Sequence, residues 1–148
     1  MDAFSIHGGQ RLTGTISVDG SKNAALPLLA ACLLTEEQLT FEGVPELSDI
    51  ENMVQLLEEL GCNSTRDGKQ LKIQTKDTSQ AHARYDIVRT MRASVCVLGP
   101  LLAKRGAVRV SMPGGCSFGD RPIDLHLRGL EALGATIHLE GGDIVARC

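Results

Sequence analysis

An α/β fold (α+β in its segregation of strands and helices), built from repeated units, is what this sequence predicts. Three observations carry that reading. Apolar stripes at helical spacing alternate with short strand-like runs along the whole chain. The helix-ending string Leu57-Glu58-Glu59-Leu60-Gly61 recurs in the second half of the chain as Leu130-Glu131-Ala132-Leu133-Gly134, and each copy leads into a glycine-turned hairpin. The chain has 148 residues, 43% of them hydrophobic but only 3% aromatic and none tryptophan, so one domain's worth of core must be filled by aliphatic side chains.

The elements follow in order. Phe4–His7 and Leu12–Val18 alternate as two short strands separated by Gly8-Gly9. Asp19-Gly20-Ser21-Lys22-Asn23 is a cluster of turn and cap residues, and the apolar run Ala24–Leu34 after it reads as a buried helix with Pro27 in its first turn or kinking it. Leu39–Glu42 is a strand. Ser48-Asp49-Ile50-Glu51 fits a capping box, opening a helix whose face is Ile50, Met53, Val54, Leu57 and Leu60, with Gly61 as its C′ residue. Asn63–Thr65 and Leu71–Gln74 flank Asp67-Gly68 as a hairpin. Ser79–Arg84 is a polar connection. Tyr85–Ala103 reads as a long helical run that Pro100 interrupts, and Ala107–Met112 as a strand. Pro122 opens a further helix striped by Ile123, Leu127, Leu130 and Leu133 and ended by Gly134. Thr136–Leu139 and Asp143–Arg147 pair through Gly141-Gly142.

The two repeats differ in one place. The interval from Pro113 to Leu133 is longer than the matching interval from Pro45 to Leu60. The additional residues, five in number, fall in Gly114–Arg121, within Pro113-Gly114-Gly115-Cys116-Ser117-Phe118-Gly119-Asp120-Arg121-Pro122. A loop lengthened in one copy of a repeated scaffold points to function. Glycines let it lie close to a ligand, and a cysteine held there beside Arg121 is favoured as a thiolate. The plain alternative is a surface turn that contains a cysteine. Repeated units bury their faces against neighbours, and two of them look like part of a larger domain.

Net charge is −3, against a nucleic-acid or membrane-surface protein driven by bulk charge. No run approaches membrane-spanning length, and Met1-Asp2-Ala3-Phe4 lacks the order of a signal peptide. Five cysteines without zinc-type or C-x-x-C spacing indicate a reduced, cytoplasmic setting and no metal site.

Four motifs in order, Ser21-Lys22-Asn23-Ala24-Ala25-Leu26-Pro27, Thr90-Met91-Arg92-Ala93-Ser94, Pro113-Gly114-Gly115-Cys116 and Arg121-Pro122-Ile123-Asp124-Leu125-His126, resemble the UDP-N-acetylglucosamine 1-carboxyvinyltransferases, an enolpyruvyl transferase family. The resemblance runs from Met1 to Cys148 but corresponds only to the N-terminal third or so of a member. It implies an inside-out α/β barrel, two domains of three similar units each, with the active site between them. On that pattern residues 1–20 are N-terminal strands that pack with the missing second domain. Residues 21–148 are then a partial domain holding two of its three units, about 21–78 and 85–148.

The resemblance also implies a reaction. The 3′-hydroxyl of UDP-N-acetylglucosamine adds to C2 of phosphoenolpyruvate as C3 is protonated, and phosphate then leaves. No cofactor is implied. Cys116 is implied as the proton donor to C3 and the site of a covalent phosphoenolpyruvate adduct, open to epoxides of the fosfomycin type. Lys22, Asn23 and Arg121 are implied as phosphoenolpyruvate ligands, and Arg92, Pro122, Ile123, Asp124, Leu125 and His126 as the hold on the sugar nucleotide. Cations and a helix start suit an anionic substrate. Residue by residue, the plain readings are a solvated lysine, arginines in surface ion pairs and a histidine beside an apolar stripe. The family's aspartate base lies beyond residue 148, so the chain alone is expected to have little or no activity without a C-terminal domain. The alternatives are the related enzyme acting on shikimate 3-phosphate, a non-catalytic binding module on the same scaffold, and a thiol-redox protein built on Cys116.

Overall fold

The computed structural model describes residues 3–112 and 123–148, so Cys116, Arg121 and Pro122 lie outside the described residues. Two sheets, each with its helices, follow one another along the chain. The first unit holds α1 (Lys22–Ala30), running into a 3₁₀ turn at Ala31–Leu34, then β1 (Leu39–Phe41), α2 (Ser48–Glu59), β2 (Cys62–Asp67) and β3 (Gln70–Thr75). The second holds β4 (His82–Ala83), α3 (Tyr85–Val88), a 3₁₀ helix Arg92–Val97, α4 (Leu98–Arg105), β5 (Ala107–Ser111), α5 (Asp124–Ala132), β6 (Thr136–Glu140) and β7 (Asp143–Arg147).

The repeat read from the sequence is also a repeat of topology. The first sheet has the order β1-β3-β2, and the second β4-β5-β7-β6, so β5, β7 and β6 stand where β1, β3 and β2 stand. The hairpins match in register as well: Asn63 faces Gln74, and Thr136 faces Arg147 at the same offset that relates the two helix-ending strings. Leu39 faces Ile73 and Val108 faces Ala146, so β5 follows β1 at a shorter offset than the one relating the hairpins. The second unit is therefore longer between β5 and its hairpin, the interval that contains the cysteine loop. β4, which pairs parallel with β5 through His82–Arg109 and Ala83–Val110, lies in the stretch expected to be a polar connection. Two residues are too few to show a period.

One aliphatic core runs through both units, from Leu26, Leu29 and Leu33 through Ile50, Met53, Leu56, Leu57 and Leu60 to Leu98, Leu101, Val110 and Ile144. Leu56, absent from the stripe read in the sequence, is fully buried with Ile50, Met53, Leu57 and Leu60, whereas Val54 of that stripe is only half-buried. The 3₁₀ helix Arg92–Val97 packs on both α1 and α2 and joins the units. Arg105, at the end of α4, donates from Nη2 to the Leu60 carbonyl at 2.8 Å and so satisfies an orphan acceptor at the end of α2.

Several expectations are corrected. Residues 3–20 form no strand, and Phe4, Ile6, Leu12, Ile16 and Val18 are exposed; an alternating strand needs a partner edge for its backbone, and none is supplied among the described residues. Helix α1 buries one face only, leaving Leu28 exposed, and Pro27 stands past its first turn, where the helix soon tightens to 3₁₀ geometry. The expected helix 85–103 is broken at Met91, which is extended (φ −144°) and buried, and beyond it runs on as 3₁₀ and then α geometry. Pro100 interrupts nothing: it sits in the first turn of α4, where its missing N–H is not needed. Leu133, expected on the stripe of α5, is 86% exposed, and no residue within α5 is buried.

Glycine is required where chains touch. Gly61 ends α2 at φ +90°, and a Cβ built there would stand 2.1 Å from the Asp77 carbonyl oxygen. Gly20 lies against Gly43, whose carbonyl oxygen would be 2.0 Å from a Cβ at Gly20.

Candidate phosphate site and nucleotide segment

The Asp19–Asn23 turn does what its composition suggests. Ser21 is the N-cap of α1, its Oγ accepting from the Ala24 amide at 3.4 Å. Lys22 is then the first helical residue and Asn23 the second, exposed beside amides that have no partner within the helix. The Lys22 ammonium reaches across to α2 and donates to Asp49 Oδ2 at 2.6 Å. Both residues lie in first turns, so the N-terminal ends of α1 and α2 meet at this ion pair.

The capping box expected at Ser48–Glu51 does not form. Leu47 is the N-cap of α2, no side chain caps it, and the amides of Ile50 and Glu51 are taken by the Leu47 carbonyl. The Asp49 carboxylate serves Lys22 instead. A first-turn acid already gains from the helix dipole, whereas a first-turn lysine loses, so the pair relieves an unfavourable charge at α1. Sequence reasoning read Asp49 only as part of a cap. The signal that could have found it is an acid in one helix start and a lysine in another within a repeated unit.

Arg92 opens the 3₁₀ helix that packs on α1 and α2. It follows Asn23 at the same offset that separates Val108 of β5 from Leu39 of β1, so the two residues hold equivalent positions in the two units. Each unit thus presents a polar residue near the start of the helical run that leads into β1 or β5. Among the described residues the Arg92 guanidinium makes no ion pair, unlike Arg84 with Glu59 or Arg109 with Asp143.

The remaining predicted residues separate. Ile123 is a core residue just before α5. Asp124 is the exposed first residue of that helix. Leu125 and His126 line an open groove of about 470 Å³ against Pro27, Cys96, Leu98 and Gly99, from the later part of α1 and the start of α4. The segment expected to hold a nucleotide therefore lies beside α1, on a mostly apolar surface where His126 supplies the imidazole.

Both anchors of the cysteine loop are visible. On the β5 side, Ser111 Oγ donates to Asp143 Oδ1 at 2.6 Å, the Arg109 Nε donates to Asp143 Oδ2, and the Met112 amide donates to the Gly142 carbonyl at 3.0 Å. The Ser111 hydrogen bond and then the Arg109 guanidinium hold the Asp143 carboxyl below its ordinary range. On the far side Ile123 is pinned in the core. Among the described residues, buried Cys32 and Cys62 and half-buried Cys96 differ from what such a loop would need. Burial, with Cys62 adjacent, pushes Cys32 up to about 12, and burial also raises Cys62 and Cys96. They pack as small hydrophobes.

Residues 6–148 match the sequence family described as EPSP synthase (3-phosphoshikimate 1-carboxyvinyltransferase). The chain belongs to the EPSP synthase family. Curated relatives include the UDP-N-acetylglucosamine 1-carboxyvinyltransferase of Nitratidesulfovibrio vulgaris (strain DP4), 53% identical over 148 residues, which are all of this chain and 35% of the relative. The protein of that name in Desulfatibacillum aliphaticivorans is 54% identical over 142 residues, 96% of this chain and 34% of its own. The chain thus spans about 35% of the length of the curated relatives it matches. Among solved structures, the enolpyruvyl transferase NikO from Streptomyces tendae superposes with a TM-score of 0.77 at 22% identity, over 97% of this chain and 32% of that one. An EPSP synthase from Acinetobacter baumannii gives 0.64 at 17% identity, over 90% of this chain and 32% of its own. These likenesses establish the EPSP synthase family fold for both repeated units.

Proposed function

We propose that this chain forms part of an enolpyruvyl transferase that moves the enolpyruvyl group of phosphoenolpyruvate to the 3′-hydroxyl of UDP-N-acetylglucosamine. The observation that carries the reading is identity of about one residue in two, along the whole chain, with curated relatives of that name. The shared family alone is compatible with shikimate 3-phosphate as acceptor, but the solved EPSP synthase is only 17% identical. Such an enzyme takes the first committed step of peptidoglycan synthesis and works in the cytoplasm; no helix among the described residues is long and apolar enough to cross a membrane.

The residues divide the work. Lys22, Asn23 and Arg121 bind the phosphate and carboxylate of phosphoenolpyruvate, the first two at the start of α1, where amides and dipole favour an anion. Arg92 and the segment Pro122–His126 hold the sugar nucleotide. Cys116 donates the proton to C3 as the hydroxyl oxygen bonds to C2; C3 then gives up a proton as the C2–O bond to phosphate breaks, and phosphate leaves as the double bond is restored. Fosfomycin-type epoxides alkylate the same thiol. The acceptor's base and the second wall of the cleft come from the remaining two thirds of a full-length relative.

Phosphate release from phosphoenolpyruvate tests this. The 148-residue chain alone is expected to release none above background. Fused to the C-terminal remainder of the Nitratidesulfovibrio vulgaris relative, it should release phosphate with UDP-N-acetylglucosamine, and Lys22→Met or Cys116→Ser should abolish this. A normal enzymatic rate from the isolated chain would refute the dependence on a second domain. Turnover with shikimate 3-phosphate instead would refute the acceptor.

A further inference from the structure

The ion pair at the meeting of α1 and α2 has a consequence for how Lys22 receives a ligand. Lys22 is the cation proposed to hold the phosphoenolpyruvate phosphate, and it is not free: its ammonium donates to Asp49 Oδ2 at 2.6 Å, with side chains 42% and 31% exposed. The pair spans two helices that pack together, so Asp49 is fixed by α2 rather than carried along with Lys22. An anion arriving at Lys22 meets a carboxylate of its own sign within one ammonium's breadth. It must displace that carboxylate or bind against its repulsion. We propose that Asp49 is an internal counter-anion that holds Lys22 aimed at the junction of the two helix N-termini and competes with the ligand phosphate for it. The inference rests on the reading of Lys22 as a phosphoenolpyruvate ligand.

Asp49 thereby has two opposed effects. It orders a long, flexible cation and offsets a positive charge at the positive end of α1. It also lowers the affinity of the empty site for small anions, so that Lys22 is surrendered only to a ligand with enough further contacts, here Asn23 and the amides at the start of α1, to outbid a carboxylate. Inorganic phosphate, with fewer contacts, is disfavoured more than phosphoenolpyruvate.

The test is the dissociation constant of phosphoenolpyruvate and of inorganic phosphate, by isothermal titration calorimetry at low salt, for the 148-residue chain and four variants. Asp49→Asn keeps the shape and removes the charge. It should tighten binding of both anions by about twofold to fivefold, the scale of a partly exposed ion pair. Asp49→Glu should restore wild-type affinity, and melting temperatures compared across the set separate this effect from unfolding. Lys22→Met should weaken binding, and adding Asp49→Asn to it should recover much less than Asp49→Asn gains alone. Unchanged or weaker binding in Asp49→Asn overturns the proposal, as does an equal gain with Lys22 removed. Binding of neither anion by any of the proteins also overturns it. Binding of inorganic phosphate with the expected Asp49 dependence, but not of phosphoenolpyruvate, would uphold the counter-anion and sink the proposed substrate.

Discussion

Gly61 and Gly134 end equivalent helices in the two units, and replacing each by alanine separates two costs that are normally mixed. Both sit in the left-handed region, at φ +90° and +103°. An alanine there carries the backbone penalty, about 1–2 kcal/mol in either unit. Their surroundings differ. A Cβ at Gly61 would stand 2.1 Å from the Asp77 carbonyl oxygen and 2.9 Å from its carbon, whereas one at Gly134 meets nothing within 4 Å. The obstacle at Gly61 is backbone, held there because the amides of Lys76 and Asp77 both donate to the Gly61 carbonyl, at 2.8 and 3.0 Å. It cannot swing aside like a side-chain end, so overpacking adds about 1–3 kcal/mol. Gly61→Ala should then cost about 2–5 kcal/mol and Gly134→Ala about 1–2 kcal/mol. For a chain of this size 1 kcal/mol moves Tm by about 3 °C, so the expected losses are roughly 6–15 °C and 3–6 °C. Differential scanning calorimetry of both variants decides it. Equal losses would refute the close approach of Gly61 to Asp77.

Three further outcomes follow from the same structure. Leu60→Ala should cost about 2–5 kcal/mol in urea denaturation, while Leu133→Ala, at the repeat-equivalent position but 86% exposed, should stay within about 0.5 kcal/mol. Iodoacetamide at pH 8, read by mass spectrometry, should modify exposed Cys148 readily and the native chain's buried Cys32 at least about 100-fold more slowly, since a thiol raised to about 12 has almost no thiolate there. Asp143→Asn should lose about 1–3 kcal/mol at pH 7. Because the folded-state carboxyl lies below its ordinary range, its stabilisation is present above about pH 4 and is lost as pH falls through the lowered value. The variant and the wild type should therefore converge in acid melts.

How much was legible varies by element, for physical reasons. Helix α2 was legible because its apolar spacing and terminal glycine are written in adjacent residues. Both hairpins were legible for the same reason, with Asp67-Gly68 and Gly141-Gly142 marking the turns. The alternation of Leu12–Val18 is as clear as in any strand of the chain, yet no strand forms, because alternation states which face would be buried and not whether a partner exists. Leu127 and Leu130 of α5 are half-buried and Leu133 is exposed for a related reason: a stripe needs a surface to lie on.

Residue types at short, fixed spacings were enough to establish the repeated α/β scaffold, its aliphatic core, the capped start of α1 and the family. Packing was needed before Asp49, 27 positions along the chain from Lys22, could take that ammonium rather than cap α2. Packing also set Arg92 in the place that Asn23 holds in the first unit, and let Asp143 tie down the strand leading to the cysteine loop. Those are relations between elements, and they depend on how helices and strands are set against one another. Local spacing carries no information about that until the core has packed.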